Sequence, residues 1–128
     1  HVVPAFIRKV IEAEKELEIW GTGKAKRDVI YIDDLIDFLS LCIKNQKNPY
    51  ELFNCGAGEA FPILDLAKTV MRVESKDLKI KLDETKPDIP TTVILNCDKA
   101  KKMLGWEPKT SLEEGLSRTC DWYNCHAK

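Results

Sequence analysis

The stretch WGTGKAKRDVIYIDDL, residues 20–35, sets a single arginine behind a glycine turn and ahead of an apolar run and two aspartates. Gly21 and Gly23 allow backbone angles that a side chain would forbid, so the chain can reverse tightly after Leu17, Ile19 and Trp20. Arg27 leaves that turn at a fixed place. The run Asp28-Val-Ile-Tyr-Ile32 is β-branched and aromatic, which predicts a strand over 27–32, and Asp33-Asp34 suits the cap of a following helix. An arginine held this way suits a phosphate, because the guanidinium is a planar fork of donors. Trp20, across the turn, offers a flat face on which a base or sugar can stack. The plainer readings are a β-turn for the glycines, a surface ion pair with Asp28 or Asp33 for Arg27, and half-buried packing for Trp20.

Working outward, Val3, Phe6, Ile7, Val10 and Ile11 recur at helical spacing, which predicts an amphipathic helix over 4–15 with Pro4 in its first turn. A strand is expected over 17–20 and a turn over 21–26. Leu35, Phe38, Leu39, Cys42 and Ile43 predict a helix with a continuous apolar stripe, broken by Asn48-Pro49. Residues 50–55 read as a strand ending in Gly56-Ala-Gly58, and Ile63, Ala67, Val70 and Met71 as the buried face of the next helix. Residues 78–82 alternate like a half-exposed strand, Pro87 and Pro90 hold an extended loop, and Val93-Ile-Leu95 is a short apolar run. Asp98 is expected to cap a helix ending at Gly105, and Ser111-Leu-Glu-Glu114 reads as a capping box. Strands and helices alternate without internal repeats. The expected fold class is α/β, one small mixed domain of short strands and about five helices.

The 128 residues are 44% hydrophobic and 32% charged, with 20 Lys and Arg against 21 Asp and Glu, a formal net charge of -1. Nothing there forms a basic stripe for nucleic acid, and no apolar run is long enough to span a bilayer. The five cysteines are an odd set without a Cys-x-x-Cys pair, and Cys42 and Cys55 lie in apolar runs; the expectation is reduced, buried thiols in the cytoplasm. His1 and His126 sit at the two ends without metal-ligand spacing, so no metal site is expected. Gly23-Lys24 is followed by Ala25, which excludes a Walker loop, and the turn leads into a strand rather than a helix, which excludes a dinucleotide fingerprint. A helix N-terminus accounts for Asp33-Asp34 without acid–base chemistry. Trp106, Trp122 and Tyr123 are expected in the core.

Taken together, HVVPAFIRK, WGTGKAKRDVIYIDDL, LFNCGAGE, KPDIP, LGWEPKTSLEEGL and TCDWY resemble, in order and spacing along all 128 residues, the C-terminal part of an extended short-chain dehydrogenase/reductase of the NAD-dependent epimerase/dehydratase family. Within that family they are most similar to the GDP-L-fucose synthase branch and related nucleotide-sugar epimerases and dehydratases. The resemblance implies an N-terminal Rossmann domain that binds NAD or NADP and carries a glycine-rich loop and a Tyr-x-x-x-Lys pair, with residues 1–128 as the nucleotide-sugar lobe. It places His1 beside the cofactor and Lys9, Trp20, Arg27 and Asp88 around the nucleotide sugar. Lys9 stands where arginine is frequent, and Thr92 where an arginine commonly meets the phosphates.

No catalytic pair lies in this chain, since Tyr31, Tyr50 and Tyr123 are followed four residues on by Leu35, Asn54 and Ala127. With His1 rather than methionine in first place, the chain is expected to be an excised piece, not catalytic by itself. Its expected partners are a nucleotide sugar, the absent Rossmann domain and a further copy of the chain. The apolar stripe of the 33–44 helix is expected to pack partly on that domain and to drive self-association when bare. A binding module without chemistry and a merely structural truncation product are the competing readings.

Overall fold

A computed structural model of the chain describes residues 1–89 and 91–127. Helix α1 (Val2–Glu12) begins two residues before its expected start and buries Phe6, Ile7 and Val10. Strand β1 (Glu16–Trp20) begins one residue before its expected start and alternates, with Leu17 and Ile19 inside. It runs parallel to β4 (Lys79–Asp83), in a register that sets Glu16 against Lys79 and Trp20 against Asp83. Parallel neighbours need a long crossover. Here the crossover includes α2 (Ile32–Asn45) and α3 (Ile63–Val73), the latter packed between α1 and α5 (Leu112–His126). Phe6, Ile7, Val10, Leu17, Ile19, Leu66, Ala67, Val70, Leu116 and Cys120 close the main core.

A second sheet is built from fragments. Strand β2 (Lys26–Arg27) pairs antiparallel with β3 (Phe61–Pro62) and parallel with β5 (Thr92–Val93). The strand expected over 27–32 therefore stops at Arg27. Residues 28–31 have the β-branched composition of a strand but no ladder beside them among the described residues, and β propensity without a partner strand does not make a sheet. The same holds for the expected strand at 50–55, which has no ladder and leaves Tyr50 and Leu52 exposed.

Neither Asp33 nor Asp34 caps α2. Tyr31 is the N-cap residue and makes no side-chain cap bond, while both aspartates fall in the first turn, where they complement the helix dipole. Asp34 is buried, and its carboxylate accepts the backbone N–H groups of Lys109 and Thr110 at 3.2 and 3.0 Å. Its carbonyl accepts the indole N–H of Trp106. These bonds seat Trp106 in a second core with Phe38, Ala100 and Leu104, the Phe38 and Trp106 rings meeting edge-on at 5.2 Å.

In helix α4 (Asp98–Leu104) Asp98 is the first helical residue rather than the expected cap; Cys97 is the N-cap residue and makes no side-chain cap bond, while Asn96 Oδ1 accepts the Asp98 N–H. It ends at Gly105 in the left-handed region, and Ser111 opens α5 by accepting the Glu114 N–H. Glu114 does not return the bond as a capping box would; it pairs with Arg118 at 2.6 Å. Trp122 is 61% exposed and stacks on His126 instead of entering the core, whereas Trp106 is buried and Tyr123 half-buried. Cys42 and Cys55 are half-buried; all five thiols are free. No described helix is long and apolar enough to cross a membrane.

Candidate functional site

The turn after β1 is made by Gly21 and Gly23, both at positive φ (73° and 69°), as the sequence suggests. Gly21 donates to the Asp83 carbonyl at 2.8 Å, which ties the turn to the end of β4. Trp20, at the mouth of the turn, is 56% exposed. Its indole N–H donates to Glu18 Oε1 at 3.0 Å, which fixes the ring. Two ammonium groups lie over that ring, Lys9 from α1 and Lys86 from the loop after β4, each 5.7 Å from the ring centroid. A cation over an indole face is held by the ring quadrupole, and here the lysines come from elements far apart in sequence. Lys9 is steadied further by donating to the Glu18 carbonyl at 3.2 Å. With Val2, Phe6 and Ile63, Lys9 and Trp20 line a cavity of about 220 Å³.

Arg27 lies on β2, and its Nη1 donates to the carbonyls of Lys26 and Thr91 at 2.8 and 2.9 Å and to Thr91 Oγ1 at 3.2 Å. Among the described residues its Nη2 and Nε make no hydrogen bond. One nitrogen thus braces the proline loop while the rest of the fork remains available to an acceptor. The ion pair of the plainer reading, Arg27 with Asp28 or Asp33, is not formed among the described residues: Asp28 turns to the backbone of Ala57, Gly58 and Leu95 at 2.7, 3.1 and 3.1 Å, and Asp33 lies 3.7 Å from Arg118.

Lys9 and Trp20 are therefore brought together, and Asp88 joins them through the turn, where its Oδ2 accepts the N–H and the hydroxyl of Thr22 at 2.8 and 2.6 Å. Those two bonds hold the Asp88 carboxyl below the usual carboxylate range. Arg27 meets the far end of the same loop through Thr91. His1 stands apart: it is exposed at the N-terminus of α1, about 12 Å along the helix from Lys9. Sequence reasoning missed Thr22 and gave Lys86 no partner. The signal present was Lys86 in the stretch beside Pro87 and Asp88, but its meeting with Trp20 depends on the β1–β4 pairing.

The described residues do not fit a dinucleotide by themselves. The N–H groups of Ala57 and Gly58, in the glycine turn, already serve Asp28, which leaves them no donor for a pyrophosphate, and His1 does not line the cavity that holds Lys9 and Trp20. No group of three or more His, Cys, Asp or Glu among the described residues is placed to hold a metal ion. Burial pushes the Cys55 thiol up to about 11 and the Cys120 thiol up to about 12, so neither supplies a thiolate near neutral pH.

The geometry has relatives. The family model described as NAD dependent epimerase/dehydratase matches residues 1–56. The chain is 37% identical over 127 residues to GDP-L-fucose synthase 1 of Arabidopsis thaliana, covering 96% of this chain and 39% of that protein. It is 40% identical over 123 residues to a GDP-L-fucose synthase of Sinorhizobium fredii, covering 93% of this chain and 38% of that protein. Among solved structures, a UDP-glucose 4-epimerase of Thermotoga maritima, crystallised with UDP-glucose, superposes with a TM-score of 0.82 at 34% identity, covering all of this chain and 40% of that one. The chain thus spans about two-fifths of the length of each of these relatives.

Proposed function

Since the chain belongs to the NAD dependent epimerase/dehydratase family, we propose that its residues form the nucleotide-sugar binding portion of an NAD(P)-dependent epimerase, dehydratase or reductase. The observation that carries this reading is the pair of ammonium groups on the Trp20 indole, with the Arg27 fork braced at the other end of the same loop. Fixed cations and an aromatic face suit a nucleoside diphosphate, whose charge sits between two groups that can stack or hydrogen-bond. Lys9, Trp20 and Arg27 would meet the nucleotide, with Asp88 beside them and His1 at the edge facing the cofactor.

The hydride chemistry, on this reading, belongs to the three-fifths of the relatives' length that this chain does not span. Residues 1–128 would not catalyse alone. The exposed face of α2 and the unpaired run 50–55 would lie against that remaining portion, which is where NAD or NADP would be held. A binding module without chemistry would show the same cation arrangement, and turnover by the full-length protein separates the two.

Titration with GDP, UDP and dTDP, followed by tryptophan fluorescence, tests binding. The expected result is a saturable change that Trp20→Phe removes, with affinity at least ~10-fold weaker in Arg27→Ala, a loss of about 1.4 kcal/mol. No saturable change with any of the three would overturn the reading.

A further inference from the structure

The resemblance puts Asp88 among the residues around the nucleotide sugar, yet the carboxylate faces the chain's own backbone. Its Oδ2 accepts both the N–H and the hydroxyl of Thr22. The approach is so close that a Cβ placed on Gly21 would lie 2.6 Å from Asp88 Cβ and Cγ. Among the described residues, the backbone of the 84–89 loop is otherwise fixed only near its two ends. At the start, Asp83 Oδ1 accepts the N–H and hydroxyl of Thr85 while its carbonyl accepts the N–H groups of Gly21 and Lys86. Beyond the end, Arg27 holds Thr91. Between those anchors Lys86 reaches over Trp20, and it is Asp88, two residues on, that binds the turn carrying Trp20.

We propose that Thr22 and Asp88 form a latch that seats the 84–89 loop on the glycine turn and so sets the Lys86 ammonium on the Trp20 indole. Both are positioning residues: they act on the bound anion through Lys86 and touch no ligand themselves. The binding consequence rests on the nucleoside-diphosphate reading above, but the latch itself does not. A hydroxyl at position 22 is required because the N–H alone leaves one donor to a carboxylate that the loop's position depends on, and charge-assisted bonds of this kind are the strong ones.

The test uses the 128-residue chain and five variants, Thr22→Val, Thr22→Ser, Asp88→Ala, Lys86→Ala and the double variant Thr22→Val with Lys86→Ala. The ring current of Trp20 moves the Lys86 ε-methylene proton resonances, which gives a direct signature of the contact, and the Gly21 amide, bonded to Asp83, reports the folded turn in every variant. Asp88→Ala and Thr22→Val are expected to return the Lys86 resonances to the values of a free lysine, while Thr22→Ser keeps them. Affinity for UDP and GDP should fall several-fold in the first two, recover in Thr22→Ser, and fall no further when Lys86→Ala is added to Thr22→Val. Unchanged Lys86 resonances in Asp88→Ala, or a Thr22→Ser variant as impaired as Thr22→Val, would overturn the latch. If the parent chain binds neither nucleotide, the functional reading falls while the resonances still decide the latch.

Discussion

Asp28 does more for this molecule than its place beside Arg27 suggests. Its two oxygens take backbone N–H groups from Ala57, Gly58 and Leu95, so one carboxylate joins the end of β2 to the glycine turn and to the segment after β5. Gly56 is required beside it, since a Cβ there would lie 2.7 Å from Asp28 Oδ2. Asp28→Ala leaves those donors without their acceptor and is expected to cost about 2–3 kcal/mol, read as a lowered urea midpoint at unchanged slope. Such residues are hidden from sequence reasoning, because Asp28 and its partners lie 29, 30 and 67 positions apart. Asp34 is hidden for the same reason: a helix start explained it, and its true partners, Lys109 and Thr110, lie in the opposite half of the chain. Asp88 carries a pH signature. Bonds from Thr22 lower its folded pKa beneath the unfolded value of about 3.9, so what they add is present above that value and lost as pH falls through the lowered pKa. An NMR titration of the Thr22 amide should accordingly show its midpoint below about 3.9.

At the scale of elements, periodicity served the helices well and the strands poorly. Helical spacing is written within one segment, so α1 and α3 can be read from their own apolar residues, and the end of α4 and the start of α5 from Gly105 and Ser111. Residues 28–32 and 50–55 have strand composition, but a strand exists only where another lies beside it. Helix α2 shows the limit from the other side. Of the stripe expected to be partly bare, Leu35, Phe38 and Cys42 pack in the second core, and only Leu39 and Ile43 are exposed; they join Ile32 and Ile36 on a different, outward face, with Ile43 at 86%. Contiguous apolar surface of this kind drives association. Ile36→Glu with Ile43→Glu should leave the circular dichroism unchanged and lower the apparent mass in light scattering at high concentration; a parent chain that is already monomeric there would contradict it.

For the whole molecule, the α/β class and much of the candidate site could be seen in the sequence, but its assembly could not. Trp20 and Arg27 stand out as residue types in a setting, and Lys9 enters only through the resemblance. What brings Lys86 over Trp20, and Thr91 to Arg27, is the parallel pairing of β1 with β4 and of β2 with β5, which no local pattern records. Two cores result, one under α1, α3 and α5 and one around Trp106, with the cavity lined by Lys9 and Trp20 set over the first. The β1–β4 pairing also dictates an order of events during synthesis. Thr22 and Asp88 are 66 positions apart, so a ribosome-bound chain that has exposed only the segment through Ser75 already presents Trp20 and Lys9 but neither wall of the loop that completes the surface. On the proposed nucleotide reading, affinity should therefore appear as a late step when stalled chains of increasing length are compared, once β4 and the loop beyond it have left the exit tunnel.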